Sequence, residues 1–382
     1  MGGGAGGHMW HPFDCPEVLT GADLLDVFKK SGGWLRANPG SLKVDGVNLS
    51  CRLKKNPDLS TGFEFVVDRG ATSGASGKID MEGVTAKNAH LRFINKRDPS
   101  TPHGMVANTA ALLKIMNAAL PNIMSELEKL GFLESTTDIQ RDEETGEQKE
   151  VEVPIGFGPV GKYFNMEYVD VSTGAANVTK YPFNFIAFHG VRKFFMKPGN
   201  KARGYKDIQA DQGVINEMVK KIEPYAAKAG FRTFSKIETK LTQPLDVGNM
   251  LNDAFTIVLG KIGDEPGELI EQSTKIYAAV YNGASIADML DRTQGEKIFL
   301  ENAKAISDAA VVWESTRVVG NKIIKASESD LGPLHRGKDD QEEGVVVAPD
   351  DFCSGTAFKY SGDFILDNLK SGFGLSEKLL RE

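Results

Sequence analysis

The spacing of hydrophobic residues changes twice along this chain, and this change limits the possible folds more than any other feature. Apolar and polar residues alternate in SLKVDGVNLSCRL, from Ser41, and in GFEFVVDR, from Gly62. Residues 206–328 instead repeat apolar residues every three or four positions, and alternation returns in GVVVAPDDF, from Gly344. Alternation is typical of half-buried strands, and the longer period is typical of amphipathic helices. The order predicts an α+β protein in which helices interrupt a strand-rich, antiparallel domain.

This order predicts three regions. The glycine-rich residues 1–14 predict a flexible N-terminal arm. Residues 15–205 and 335–382 predict the strand-rich core, and residues 206–334 predict an all-helical insertion followed by an acidic linker. Because the insertion separates two parts of one core, the last strands are expected to join the first ones.

Local signals predict the elements within the core. The segment LLDVFKKSGG predicts a short helix that stops at Gly32 and Gly33. Residues 105–131 predict a helix that kinks or breaks at Pro121, because proline removes a helical hydrogen bond. A charged β-hairpin is expected to turn at Thr145 and Gly146.

Composition excludes several classes of protein. With 41% hydrophobic and 25% charged residues and no long apolar run, the chain is neither disordered throughout nor a membrane protein. Its start has no secretory signal, and three scattered cysteines form neither a disulfide framework nor a zinc motif, so a reducing cytoplasm is expected. The net charge of -7 argues against a protein that coats nucleic acid, although it permits a local basic groove. There is no GxxxxGK[ST] loop of a P-loop ATPase.

The most specific local pattern is Lys43-Val-Asp45-Gly46-Val-Asn48, at the start of a predicted strand. A lysine amine is a nucleophile once it loses its proton, which burial and nearby positive charge both favour. A glycine permits a phosphate-bearing ligand to approach the backbone. The alternative is a charged turn between two strands.

KxDGxN resembles motif I of the nucleotidyltransferase superfamily, which contains the lysine-adenylating ATP-dependent ligases and the RNA capping enzymes. Further segments resemble the later motifs of that superfamily in the correct order: Asp68-Arg69-Gly70 motif Ia, Glu167 in YFNMEYVD motif III, Phe188 in FNFIAFHGV motif IIIa, Glu342-Glu343-Gly344 motif IV, and Lys359 in TAFKYSGDF motif V. The resemblance covers residues 38–195 and 340–365, a little under half of the chain.

The resemblance implies a role for each matching residue. Lys43 would form the covalent bond to the nucleotide, Arg69 and Lys359 would contact phosphate, and Glu343 would bind a divalent metal. The remaining nucleotide-binding residues would be Asp45, Gly46, Asn48, Glu167 on the ribose and Phe188 stacked on the base. The implied cofactors are ATP and Mg²⁺ or Mn²⁺.

The departures from the family pattern favour one branch. Asn48 is more similar to the RNA ligases than to the DNA ligases, and Ser361 occupies the place of the second motif V lysine. Too few residues follow Lys359 to form a C-terminal OB domain. The expected function is therefore an ATP-dependent RNA ligase that joins a 5′-phosphate to a 3′-OH through lysyl-AMP. The opening GGHMWHPFD also resembles a family of tailed-phage proteins, which implies the cytoplasm of an infected cell.

Several alternatives stay open. Each outer motif has a structural explanation: a turn at Arg69, an edge strand at Glu167, and core residues at Phe188 and in EGVVV. The chain is alternatively a non-catalytic phage structural or interaction protein, or a capping-type enzyme that uses GTP. A cationic group near the start of the helical region predicts either a nucleic-acid contact or a solvated face; its members are Lys201, Arg203, Lys206, Lys220, Lys221 and Lys228.

Overall fold

A computed structural model describes residues 9–15, 17–18, 21–67, 83–94, 100–141, 148–153, 161–173, 179, 181–196, 203–243, 245, 315–334, 342–352 and 357–363. The helices are α1 (Gly21–Ala37), α2 (Ala89–Arg92), α3 (Gly104–Lys129), α4 (Gln212–Lys228) and α5 (315–325). The strands are β1 (Gly40–Leu42), β2 (Val47–Lys55), β3 (Phe63–Val67), β4 (Thr136–Arg141), β5 (Gln148–Val153), β6 (Lys162–Val169), β7 (Asn184–Met196), β8 (Arg203–Ile208), β9 (Phe231–Phe234), β10 (Glu238–Leu241), β11 (Ser327–Ser329), β12 (Gly332–Pro333), β13 (Val345–Val347) and β14 (Phe358–Tyr360). The predicted α+β class is confirmed.

The chain divides into two compact units. The first unit combines Met1–Val44 with Ile237–Glu382, and the second is Asp45–Lys236. The chain therefore passes between units at Val44 and at Lys236, whereas the sequence predicted a core that is interrupted at residues 206 and 334.

The first unit contains a six-stranded sheet in the order β12-β11-β10-β1-β13-β14, with antiparallel neighbours throughout. The strands predicted in the C-terminal part are present as β13 and β14, and β13 pairs with β1 through Ser41 and Leu42. Strands from distant parts of the sequence thus share one sheet.

The N-terminal segment corrects the predicted flexible arm. Trp10 forms a parallel bridge with Phe358, residues Pro12–Asp14 form a 3-10 turn, and His11 and Phe13 are buried. The aromatic side chains supply enough apolar surface to order residues 9–14, a contribution that the glycine-rich composition conceals. Residues 1–8 lie outside the described part of the chain.

Two predicted ends of helices are also wrong, whereas a kink at Pro121 stays a prediction. Helix α1 continues through Gly32 and Gly33 to Ala37, and α3 continues through Pro121. Each helix has a buried apolar face on both sides of the expected break, as at Leu112 and Leu127 of α3. Tertiary packing therefore outweighs the local cost, which is about 3 kcal/mol for an internal proline.

The second unit is a sheet covered on one face by helices. Its strand order is β3-β2-β6-β7-β8, with β9 parallel to β7. Strands β4 and β5 pair as the predicted charged hairpin requires, and its predicted turn at Thr145 and Gly146 lies outside the described residues. Its hydrophobic core combines sheet residues such as Leu49 and Met166 with α3 and α4 residues such as Leu120 and Ile222. Alternation gives the same strands a second, polar face.

The predicted all-helical region is only partly helical in its described residues. Helix α4 is confirmed, and residues 315–325 are helical. Residues 231–234 and 238–241 instead form β9 and β10, which pair with β7 and β1. Their sequence, FRTFSKIETKL, contains the β-branched and aromatic residues that favour strands. The helices predicted within residues 246–314 lie outside the described residues.

Among the described helices, none is both long and apolar enough to cross a membrane.

Two adjacent lysines of α4 have different surroundings. Lys221 donates to Glu126 of α3 at 2.8 Å, and Glu126 is buried. This hydrogen bond lowers the pKa of Glu126. Lys220 pairs with Glu217 on its own helix, and both side chains are exposed. Lys221 therefore joins two helices, which weakens the case for a nucleic-acid contact at this position.

We expect Lys221→Ala to lower the free energy of unfolding by about 2 kcal/mol, because it leaves the buried Glu126 carboxylate without its cation. A lowered pKa stabilises the fold above the unfolded-state pKa, and this stability is lost as pH falls through the folded-state pKa. The deficit of the variant should therefore shrink in acid. Urea unfolding near neutral pH and in acid measures both effects.

Lys220→Ala is the matched control, since it removes an exposed pair within one helix and should change stability by at most about 0.5 kcal/mol. Equal losses in the two variants would contradict the role given to the Lys221–Glu126 pair.

Candidate active site

Three residues predicted to act on phosphate and metal lie together in the first unit. Glu343 Oε2 accepts a hydrogen bond from Lys43 Nζ at 2.9 Å, and Glu343 Oε1 accepts one from Lys359 Nζ at 2.7 Å. Lys43 and Glu343 are 300 residues apart in the sequence. These residues form what we call the lysine–carboxylate cluster.

The sheet of the first unit brings this cluster together. Lys43 directly follows β1, Glu343 precedes β13, and Lys359 lies in β14, so neighbouring strands carry all three. The Lys43 backbone N–H donates to the Gly344 carbonyl at 2.8 Å, and Ser361 Oγ donates to the Glu343 carbonyl at 2.7 Å. The backbone on both sides of the carboxylate is thus fixed.

Gly344 is the residue that this approach of strands requires. Its φ is +143°, and a Cβ at this position would lie 2.3 Å from the Tyr360 carbonyl oxygen. A side chain here would both strain the backbone and push β14 away. The glycine of the predicted motif IV therefore has a defined steric function.

Burial and charge determine the chemistry of the cluster. The Lys359 side chain is 2% exposed, that of Glu343 is 9% exposed, and that of Lys43 is 22% exposed. Burial alone would raise the pKa of Glu343, but the charges of Lys359 and Lys43 outweigh it and lower that pKa to about 2. Two ammonium groups and one carboxylate carry one net positive charge, which suits an anionic ligand. Lys43 is the most accessible of the three.

A second group of predicted site residues lies on the polar face of the sheet in the second unit. Asn48 Nδ2 donates to Glu167 Oε2 at 2.9 Å and to Asn165 Oδ1 at 3.0 Å. His189 Nε2 lies 3.4 Å from the same Glu167 oxygen. Both amide hydrogens of Asn48 are thus engaged, and its Oδ1 is buried without a hydrogen-bond partner among the described residues. These four residues form the amide–carboxylate cluster.

Asp45 and Gly46 have structural functions in the second unit. The Asp45 carboxylate accepts from the Thr179 backbone N–H at 3.0 Å, and its own N–H donates to Tyr181 OH at 2.9 Å. A Cβ on Gly46 would lie 2.8 Å from Val169 Cγ2. The glycine predicted to admit a phosphate is thus also needed for packing against β6.

Two other predicted site residues are not placed with these groups. Phe188 is 1% exposed and packs edge-on against Phe164 in the core of the second unit. This placement argues against base stacking and agrees with the alternative of a core residue. Arg69 lies outside the described residues.

The sequence analysis did not single out Asn165, His189 or Tyr181 as site residues, although strand alternation could have indicated the first two. Asn165 lies two positions before Glu167, so alternation places both on one face of β6. His189 follows a core residue and therefore points to the polar face. Tyr181 gives no such signal, because its partner Asp45 is 136 residues away in the sequence.

Comparison with protein-family models, curated proteins and solved structures finds no match to this chain. Geometry and chemistry therefore carry the assignment of function.

We expect Glu343→Gln to destabilise the first unit by about 3 kcal/mol, because it removes a negative charge that neutralises the buried Lys359 ammonium. The pKa of Glu343 is lowered to about 2, so its contribution is present above a pH of about 4.5 and is lost as pH falls towards 2. The difference in free energy of unfolding between parent and variant should therefore become smaller as pH falls over that range. Unfolding in denaturant at a series of pH values measures it.

Glu328→Gln provides the control in the same sheet, since Glu328 pairs with Lys240 at 3.1 Å at an exposed position. We expect this change to lower the free energy of unfolding by less than about 1 kcal/mol. A pH-independent deficit in Glu343→Gln would argue against the charged cluster.

Proposed function

We propose that this chain is an ATP-dependent polynucleotide ligase of the nucleotidyltransferase type, with RNA as the expected acceptor. The observation that carries the proposal is the lysine–carboxylate cluster, in which Glu343 holds both Lys43 and Lys359. Glu343 neutralises the buried Lys359, and the second lysine beside it, Lys43, is partly exposed and therefore open to a ligand. The accessible Lys43 is therefore proposed as the nucleophile, and the buried Lys359 as the cation that stabilises phosphate charge.

Lys43 is proposed to attack the α-phosphorus of ATP. A bond forms between Lys43 Nζ and phosphorus, the bond from that phosphorus to the β-phosphate oxygen breaks, and pyrophosphate leaves. The amine must lose its proton first, and the side chain has access to solvent. Lys359 is proposed to stabilise the charge that develops on the α-phosphate, a role for which a buried cation is effective. AMP would then pass to a 5′-phosphate, from which a 3′-OH displaces it.

Mg²⁺ or Mn²⁺ is proposed to bind through Glu343. The described residues contain no group of three side chains that could hold a metal without help. Mg²⁺ commonly binds through one or two carboxylates together with phosphate oxygens. Each oxygen of the ionised Glu343 accepts from one lysine and has a second lone pair, which a metal would use. A bound metal would supply neutralisation of phosphate charge.

The amide–carboxylate cluster is proposed to recognise the nucleoside. Glu167 accepts hydrogen bonds, and Asn48 and His189 beside it are partly accessible to solvent, so the group suits sugar hydroxyls. Phe188 is not assigned to the base, because its ring lies within the core.

Covalent labelling tests the proposed reaction. We expect the parent chain, incubated with ATP labelled at the α-phosphate and with Mg²⁺, to form an acid-stable labelled adduct. Lys43→Arg should reduce labelling at least about a thousandfold while keeping its stability, because arginine can pair with Glu343 but does not give up its proton. Denaturing gel electrophoresis measures the label, and thermal unfolding measures stability.

Lys240→Arg is the control, since it makes the same exchange at an exposed lysine of the same unit and should label normally. Full labelling of Lys43→Arg would exclude Lys43 as the nucleophile. Labelling by GTP in place of ATP would favour the capping-type alternative. An absence of adduct with either nucleotide would favour the non-catalytic interaction protein.

A further inference from the structure

The N-terminal segment of residues 9–15 lies against the strand that carries Lys359. Trp10 forms a parallel bridge with Phe358, and the Trp10 carbonyl accepts a hydrogen bond from the Lys359 backbone N–H at 2.8 Å. On its other side, β14 pairs with β13, with Lys359 opposite Val346. The strand that bears the amine is thus paired along both of its edges.

This segment is anchored by side chains that the glycine-rich sequence before it lacks. His11 and Phe13 are each 0% exposed, and their rings stack at a centroid distance of 5.3 Å. Cys15 is buried, and its Sγ donates to the His11 carbonyl at 3.3 Å. An exposed linker would not bury the side chains of His11, Phe13 and Cys15. Residues 9–15 are therefore part of the folded unit.

The strand needs such support. β14 has three residues and would otherwise lie at the edge of its sheet. Edge strands with few hydrogen bonds open most easily, because little free energy holds them closed. Lys359 must nevertheless keep its amine 2.7 Å from Glu343. A small shift of β14 would separate the two.

We propose that residues 9–15 are a positioning element for Lys359. The segment completes the edge of the sheet, fixes the Lys359 backbone and thereby keeps its amine at the lysine–carboxylate cluster. The effect on catalysis rests on the proposed function, whereas the structural contact does not.

Two truncations of the full chain test the proposal. Deletion of residues 2–8 keeps the positioning element and should leave covalent labelling by ATP unchanged. Deletion of residues 2–14 should slow labelling at least about tenfold with little change in the KM for ATP, since Lys359 is assigned to the charge that develops during reaction. A synthetic peptide of residues 9–18 should restore part of the rate. Equal labelling by both truncations, or equal loss in both, would overturn the proposal.

Hydrogen exchange provides a measurement on the intact protein that does not depend on activity. We expect the Lys359 amide to be protected in the full chain and after deletion of residues 2–8, and to exchange rapidly after deletion of residues 2–14. Rapid exchange in the full chain would overturn the proposal even if the longer truncation fails to fold. A protected amide in a chain that forms no adduct would support the structural contact and count against the proposed function alone.

Discussion

A buried carboxylate between two ammonium groups is the interaction on which the first unit depends. Glu343 is buried and poorly solvated, which disfavours its charged form. Its charge is tolerated because Lys43 and Lys359 both donate hydrogen bonds to it. The three groups reach one another only because β1, β13 and β14 are adjacent, and Gly344 permits the closest approach. The charge balance and the sheet therefore depend on each other, because the strand order brings both lysines to Glu343.

The two faces of the sheet in the second unit differ in character: one packs in the hydrophobic core, and the other carries polar side chains. One face packs on α3 and α4, and it takes Phe188 into that core. The other face presents the amide–carboxylate cluster, in which Asn48 has a fixed orientation because both of its amide hydrogens are used. Strand alternation alone produces this separation, so a polar site is built without weakening the hydrophobic core.

The sequence predicted best those features that depend on local pattern. Strands β2 and β3, the β4–β5 pairing, helix α4 and the strand that follows Glu343 all follow from local patterns. The failures concern non-local contacts. The burial of His11, the continuation of α3 past Pro121 and the side on which Phe188 packs depend on surfaces contributed by distant residues. The meeting of Lys43 with Glu343 could be anticipated only through ordered motifs, because spacing alone carries no information over 300 residues.

The pairing of β1 with β13 also affects the order in which the chain can fold. The second unit uses a continuous stretch, Asp45–Lys236, so every contact within it is available once that stretch has left the ribosome. The sheet of the first unit has to wait until residues 345–360 are synthesised, and closing so long a loop is slow. A chain interrupted before that point would retain the polar face of the second unit but lack the charged cluster. The lysine–carboxylate cluster is thus assembled last, after the second unit has had time to fold around its own core.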